Sequence, residues 1–357
     1  MLAITKASLI GIFRSPQAVF FSLFFPIVLI VVFGALSGGG GISFNVAFDA
    51  KSDTSNWVYR VINDNIPVLN VVKGNEEELV DRLKKGRISA LINIQKTGSD
   101  TGVQYNVHFI TTSAGQRDSA FLQPIIKQAV ENVNNYGKSP QSKSIVLSNE
   151  TVEARKYRMI DFYLPGMIGF ALIGSAVFGV AFVYLTFRET LVLKRLFSTP
   201  VKRGYMVVGE SIARIIFLLM TAVVLILFGR YFYHFTLANG FITFLEMLAL
   251  SLLGIIVFMG FGFVISGISK NQNVVPVYAN LFMFPQYFLA GTFFPITALP
   301  QGMQAVVKYL PLTALNDALR KISFEGSHLW NVGREIGVLG AWCIIAYAIA
   351  IKVFKWE

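Results

Sequence analysis

The chain has 357 residues, is 54% hydrophobic and only 14% charged, and carries a formal net charge of +11. Soluble domains run near ~25% charged, so this chain holds more apolar surface than a soluble fold can bury. It reads as an α-helical polytopic membrane protein, whose basic excess marks membrane sidedness and not nucleic-acid binding. The single cysteine, Cys343, leaves no disulfide framework and no cysteine-based zinc site, and the scattered His108, His234 and His328 lend no support to a histidine metal cluster.

Six apolar runs approach the ~20 residues that a hydrocarbon core demands: 17–36, 162–187, 205–229, 241–266, 274–294 and 332–351. The first has basic residues ahead of it (Lys6, Arg14) and small residues behind (Ala35, Ser37), in the manner of a signal peptide. Its apolar stretch exceeds the usual ~7–15 residues of a signal core, which favours a retained span. The start of the sixth is blurred by Arg334 and Glu335.

Residues 37–158 open with SGGGG and are far more polar than the rest, as a small folded domain between the first and second spans would be. Residues 45–50 suggest a strand and 53–64 a helix. In NEEELVDRLKKG (75–86), Asn75 stands at the cap, Glu78 at the capping-box position and Gly86 at the stop, while Leu79, Val80 and Leu83 form an apolar stripe. ISALINI (88–94) alternates, placing Ile88, Ala90, Ile92 and Ile94 on one face, and Val103, Tyr105, Val107 and Phe109 repeat the pattern. A further helix is expected around 117–135, bent at Pro124. The mixture predicts an α/β domain, and its 15 basic and 12 acidic residues nearly cancel, giving no sign of a strongly charged ligand.

Six spans put both termini on one side. Segments 1–16, 188–203, 267–273 and 352–357 hold ten Lys/Arg against Glu189 and Glu357, whereas the basic residues of the opposite short segments are matched by acids. Because the Lys/Arg excess stays cytoplasmic, the termini and 188–203 are placed in the cytoplasm and 37–158 outside it.

An ATP site of its own would need a G-x-x-x-x-G-K-[ST] cradle. Gly137-Lys138-Ser139 comes nearest, but Asn132 stands where the first glycine belongs. Ionisable groups in the spans are few. Glu210 and Arg214, four apart in the third span, can pair on one helix face, and the simplest role for them is an anchor that reaches to the interface. Glu246 lies about one and a half turns into the fourth span, shallow enough to meet water. Neither supports a proton or sodium pathway, and no Ser/His/Asp set, carboxylate pair or HExxH sequence points to an enzyme.

The connector RETLVLKRLFSTPVKR (188–203) carries five basic residues, one acid and a set of large apolar ones. Two roles fit: an interfacial helix lying on anionic headgroups, or a helix that docks into a cytoplasmic partner with Leu193, Leu196 and Phe197 as anchors and Lys194 and Arg195 at the rim.

This connector, with GYMVVGE after it, resembles the E-x-x-x-x-[KR]-x-L-x-x-[TS]-P pattern of permease subunits of type-2 ATP-binding-cassette exporters, in the variant with a large external domain after the first span. Glu189, Lys194, Leu196, Thr199 and Pro200 carry the likeness at slightly variable spacing. GTFFPITALP and YLPLTALNDALR are similar to the family's FP-x-x-x-LP and LP-[LT] segment, through Phe294, Pro295, Leu299, Pro300, Leu310, Pro311, Leu312 and Thr313. KKGRISALINI looks like an external-domain motif of that variant, and the order of segments agrees over the whole length.

The resemblance implies that 1–16 forms an interfacial helix, with Leu2, Ile4, Leu9, Ile10, Ile12 and Phe13 among Lys6 and Arg14. It implies that 188–200, with Arg188 and Arg195 among its contacts, is a coupling helix seated in a separate ATPase, where ATP and Mg would bind. It also implies a re-entrant region at 295–322 and a second permease copy, identical or sister, in a bacterial inner membrane. Prolines 295, 300 and 311 suit such a region, although a plain external loop would also hold them. The function expected is ATP-driven export of an amphipathic or lipid-like substrate, a drug or a peptide. The alternative is a non-transporting envelope protein whose external domain binds a partner or helps assemble a secretion machine.

Overall fold

Ser15 begins the first span as a helix cap, its Oγ accepting from Ala18 N, and Pro16 takes the first helical position, where no N–H is needed. The computed structural model describes residues 2–36, 44–49, 52, 59, 69–85, 87–99, 102–112, 122, 126–127, 145–152, 158–190, 203–296 and 299–353. They fall into two units, 1–38 with 159–357, and 39–158.

In the first unit, α1 (Leu2–Phe13) lies along the helix Arg203–Tyr233, with Ile12 buried and the Phe13 and Phe217 rings 5.3 Å apart, edge to face. The first span follows as α2 (Pro16–Val19), one π-helical stretch (Phe20–Phe24) and α3 (Phe25–Leu36). Then come α5 (Met159–Glu189), α6 (Arg203–Tyr233), α7 (Phe241–Ile268), α8 (Val275–Leu289), α9 (Gln301–Val307), α10 (Pro311–Ser323), a 3₁₀ turn (Leu329–Val332) and α11 (Gly333–Val353). The axis of the bundle is the pair α5 and α7, buried along most of their length; α11 and α10 pack on α7, and α3, α6 and α8 on α5.

Among the described residues, five helices are long and apolar enough to cross a membrane: Pro16–Phe33, Met159–Glu189, Gly204–Tyr233, Phe241–Ile268 and Leu329–Val353. The expected span at 274–294 is instead the 15-residue helix α8. At 1.5 Å per residue it is about 22 Å long, short of the ~30 Å core. It stops because the chain turns at 290–296 to meet α10, whose side chains take over the hydrogen bonds that another helical turn would have made.

The second unit contains a five-stranded sheet: β1 (Phe44–Phe48), β2 (Leu69–Val71), β3 (Ala90–Ser99), β4 (Gly102–Thr112) and β5 (Ile145–Val152), in the order β2-β1-β3-β4-β5. The pairs β1/β2, β1/β3 and β4/β5 are parallel; β3/β4 is antiparallel, with Ile92 opposite Phe109. Helix α4 (Glu76–Lys84) makes the crossover from β2 to β3 and packs Leu79 and Leu83 against Ala47 and Leu91. Val46, Ile92, Ile94, Tyr105, Val107 and Phe109 form a separate apolar cluster.

Two local expectations need correcting. Asn75 caps α4 through its backbone, and no side-chain cap bond forms. Glu78 turns to Arg82 one turn on and Lys85 pairs with Asp81, because these i,i+4 partners offer charge–charge contacts that a capping box lacks. The alternation in ISALINI begins only at Ala90: Ile88 precedes the strand and joins the α4-side cluster with Leu79 and Leu83, while Ser89 N donates to Asn45 O at 2.7 Å. The helix expected over 53–64, the bulk of that over 117–135, and Gly86 lie outside the described residues.

Leu83→Ala should cost about 2–5 kcal/mol through the cavity it opens, read as greater protease sensitivity of residues 39–158 in the full chain. Glu77→Ala, on the exposed face of the same helix, should change it little.

Candidate functional site

Helices α5 and α7 end close together at the foot of the 188–203 connector. Arg188 Nη2 donates to Ser269 O, just past the end of α7, while Gln272 Nε2 donates to Glu189 at 2.7 Å and lies 3.4 Å from Thr186 Oγ1. The root of this connector is thus tied to the 267–273 connector. Leu193, Lys194, Arg195, Leu196, Phe197, Thr199 and Pro200 lie outside the described residues.

About two turns into α6, Glu210 and Arg214 form an ion pair of 3.0 Å between Oε1 and Nη2, with both side chains 6% exposed. This corrects the picture of an anchor that reaches to water. The guanidinium is held against Gly179 of α5, in space that any β-carbon there would occupy. Arg214 Nε has no partner among the described residues. Beside the pair, Tyr184 donates to Val207 O at 3.0 Å, so α5 and α6 are joined by a polar layer set inside an apolar one. Burial at this level is affordable for the charges only because they are paired.

At the far end of the bundle, the segment expected over 295–322 is two helices joined at a corner. Pro300 is the N-cap of α9, Leu310 that of α10, and Pro311 takes the first position of α10. The prolines therefore start helices here. Phe294 and Pro295 are exposed and Leu299 is half-buried. Helix α10 is buried on most sides, and its polar residues serve backbone left open by neighbouring elements. Gln286 Oε1 accepts from Leu312 N (3.2 Å), an N–H with no partner inside α10. Asn316 Nδ2 donates to Ala290 O and Thr292 Oγ1, both at 3.1 Å, where α8 has just ended. Arg320 donates to Phe162 O in the first turn of α5 and to Gly291 O, and its guanidinium lies 4.1 Å from the Phe162 ring centroid. Gly169 of α5 sits so close to Asn316 Oδ1 that a side chain there would collide with it. Glu246, expected near water, is buried, accepting from Leu329 N (3.3 Å) and lying 3.0 Å from His328 Nδ1.

Gln286, Thr292, Asn316 and Arg320 were not singled out from the sequence. Their signal is visible in TALNDALR, where Thr313, Asn316 and Arg320 recur at three- and four-residue steps on one face of an apolar helix. Among the described residues, no group of three or more His, Cys, Asp or Glu is arranged to hold a metal ion.

These features define a polytopic membrane protein whose interior polar groups hold helices and corners together. The profile of the ABC-2 family transporter proteins matches residues 17–352, and the chain belongs to that family, as an ABC transporter permease. It is 21% identical to the linearmycin resistance permease protein LnrN of Bacillus subtilis, over 99% of each chain. It is 22% identical to ABC transporter G family member 20 of Dictyostelium discoideum, over 98% of this chain but only 50% of that protein. The probable multidrug ABC transporter permease YbhR of Escherichia coli is 20% identical over 62% of this chain and 59% of its own.

Removing one partner of the buried pair, as in Glu210→Gln, should destabilise the bundle by about 3–5 kcal/mol. The double variant Glu210→Leu/Arg214→Leu should cost less than the single change. Thermal unfolding in detergent around this double-mutant cycle measures both.

Proposed function

We propose that the chain is the membrane subunit of an ATP-driven exporter, working with a separate ATP-binding subunit and a second permease, identical or sister. ATP and Mg are held by the partner, and residues 188–200 are the helix through which its closure is felt. The observation that carries this reading is the foot of that segment. Arg188 and Glu189 are fastened to Ser269 and Gln272, so a push on the connector reaches α5 and α7 together, and these two helices are the axis of the bundle.

The charge distribution supports cytoplasmic termini and an external 37–158. In this topology α8 is the fifth of six crossings, completed by the corner at 290–296 and the α9–α10 pair, where the residues that leave the helix, Ala290, Gly291 and Thr292, are buried in protein as the membrane requires. The names of the relatives, one a linearmycin resistance permease and one a probable multidrug permease, favour an amphipathic cargo, as does the scarcity of charge in the spans.

Leu196→Asp should abolish co-purification of the ATP-binding subunit while leaving membrane insertion unchanged. Undiminished co-purification would favour the envelope-protein alternative, which needs no ATPase groove.

A further inference from the structure

We propose that the corner between α9, α10 and α11 is a headgroup site for an anionic phospholipid. Two exposed cations converge there: Lys308 Nζ lies 5.3 Å and Arg334 Cζ 5.7 Å from the centroid of the Tyr309 ring. Both line one small cavity of about 30 Å³, together with Ala314, Asp317, Glu335 and Val338. The two acids of the cavity are already engaged, Asp317 with Arg320 at 3.6 Å and Glu335 with Lys321. Lys308 and Arg334 have no carboxylate within 4.0 Å among the described residues. The cavity has room for little more than a water or two, so a phosphate sits at its mouth, between the cations.

Depth fits a lipid better than a free anion. Helix α11 has 21 residues and is about 31 Å long, the thickness of a hydrocarbon core, so Arg334 in its first turn stands at headgroup level. Tyr309 and Trp330 stand near this level as interfacial aromatics do, and Trp342, about two turns further along α11, donates from Nε1 to Tyr309 O at 2.8 Å, fixing that residue beside the cations. Below Arg334 the same face of α11 presents Ala341, Ile344 and Ile345, all exposed, over about one leaflet's depth. Two unpaired positive charges above an apolar stripe match a net-negative headgroup above an acyl chain.

The leaflet concerned rests on the proposed topology; the site does not. Full-length protein in nanodiscs of equal phosphatidylglycerol and phosphatidylcholine is released and analysed by native mass spectrometry. Wild type should retain phosphatidylglycerol preferentially. Lys308→Gln/Arg334→Gln should reduce that preference by about tenfold, Arg334→Lys should keep most of it, and Lys352→Gln, at the other end of α11, should leave it intact. Inorganic phosphate should not displace the lipid. The proposal fails if wild type does not discriminate between the two lipids, if the double variant retains phosphatidylglycerol like wild type, if Lys352→Gln loses as much, or if phosphate competes. No ATP-binding subunit or cargo enters the measurement, so failure of the export reading and failure of this site are separate results.

Discussion

The bundle depends on one constraint: a helix that ends within an apolar interior leaves backbone carbonyls and N–H groups that water cannot reach. Helix α8 stops at Leu289 and α10 starts at Pro311 inside such surroundings. Each unmet group would cost about 1–3 kcal/mol, and several together would rival the stability of a whole domain. The chain meets them with side chains 24 to 26 residues away: Gln286 for Leu312 N, and Asn316 for Ala290 O and the Thr292 hydroxyl. Arg320 adds a second tie, from α10 to the first turn of α5. The break in α8 and the burial of α10 are thus one feature, since neither element would be stable in its place without the other.

The polar layer at Glu210 and Arg214 works differently. It satisfies no broken backbone, and its two charges lie on consecutive turns of one helix, so it needs nothing from α5 for its pairing. What α5 provides is the absence of a side chain at Gly179, which leaves room for the guanidinium against its backbone. An apolar pair of similar size would fill the same volume at lower desolvation cost. The ions therefore specify how α5 and α6 are set against each other more than they strengthen the contact. A conformational change that slid α5 past α6 would have to move a charge pair across a close backbone contact, which favours movement of the two helices as a body.

Much of this was legible in the sequence, and the gaps have physical causes. The long spans announce themselves because hydrocarbon imposes a minimum apolar length whatever the neighbours do. The alternating strands β3 and β4 were readable because each has one side buried against apolar residues. Strand β2 has only three residues, and β5, in IVLSNETV, alternates too weakly to stand out. Helix α8 looked like a full span because residues 290–294 are as apolar as those before them; its end is set by Asn316, far along the chain. Similarly, Glu78 stood at a capping position, but composition alone does not decide between a backbone N–H and Arg82 one turn away. Local pattern decides where an element forms; long-range polar contacts decide where it stops.

That division bears on how the subunit can move. The connector tie between Gln272 and Glu189 joins two exposed groups, a kind of contact that is weak in water, whereas the bond from Arg188 to Ser269 O is part-buried. The ties at Asn316 and Gln286 are buried and serve backbone groups at helix ends, Ala290 O and Leu312 N, that their own helices leave open. Under the coupling role proposed for 188–200, a force would therefore meet the yielding Gln272–Glu189 contact first and the buried corner last. Under such loading α5 and α7 would transmit displacement along their length, while the α8–α10 corner would keep its internal geometry and shift as a unit. On the proposed export reading, a path would run beside the corner and not through it, because opening the corner itself would strand the very backbone groups whose satisfaction holds it in the membrane.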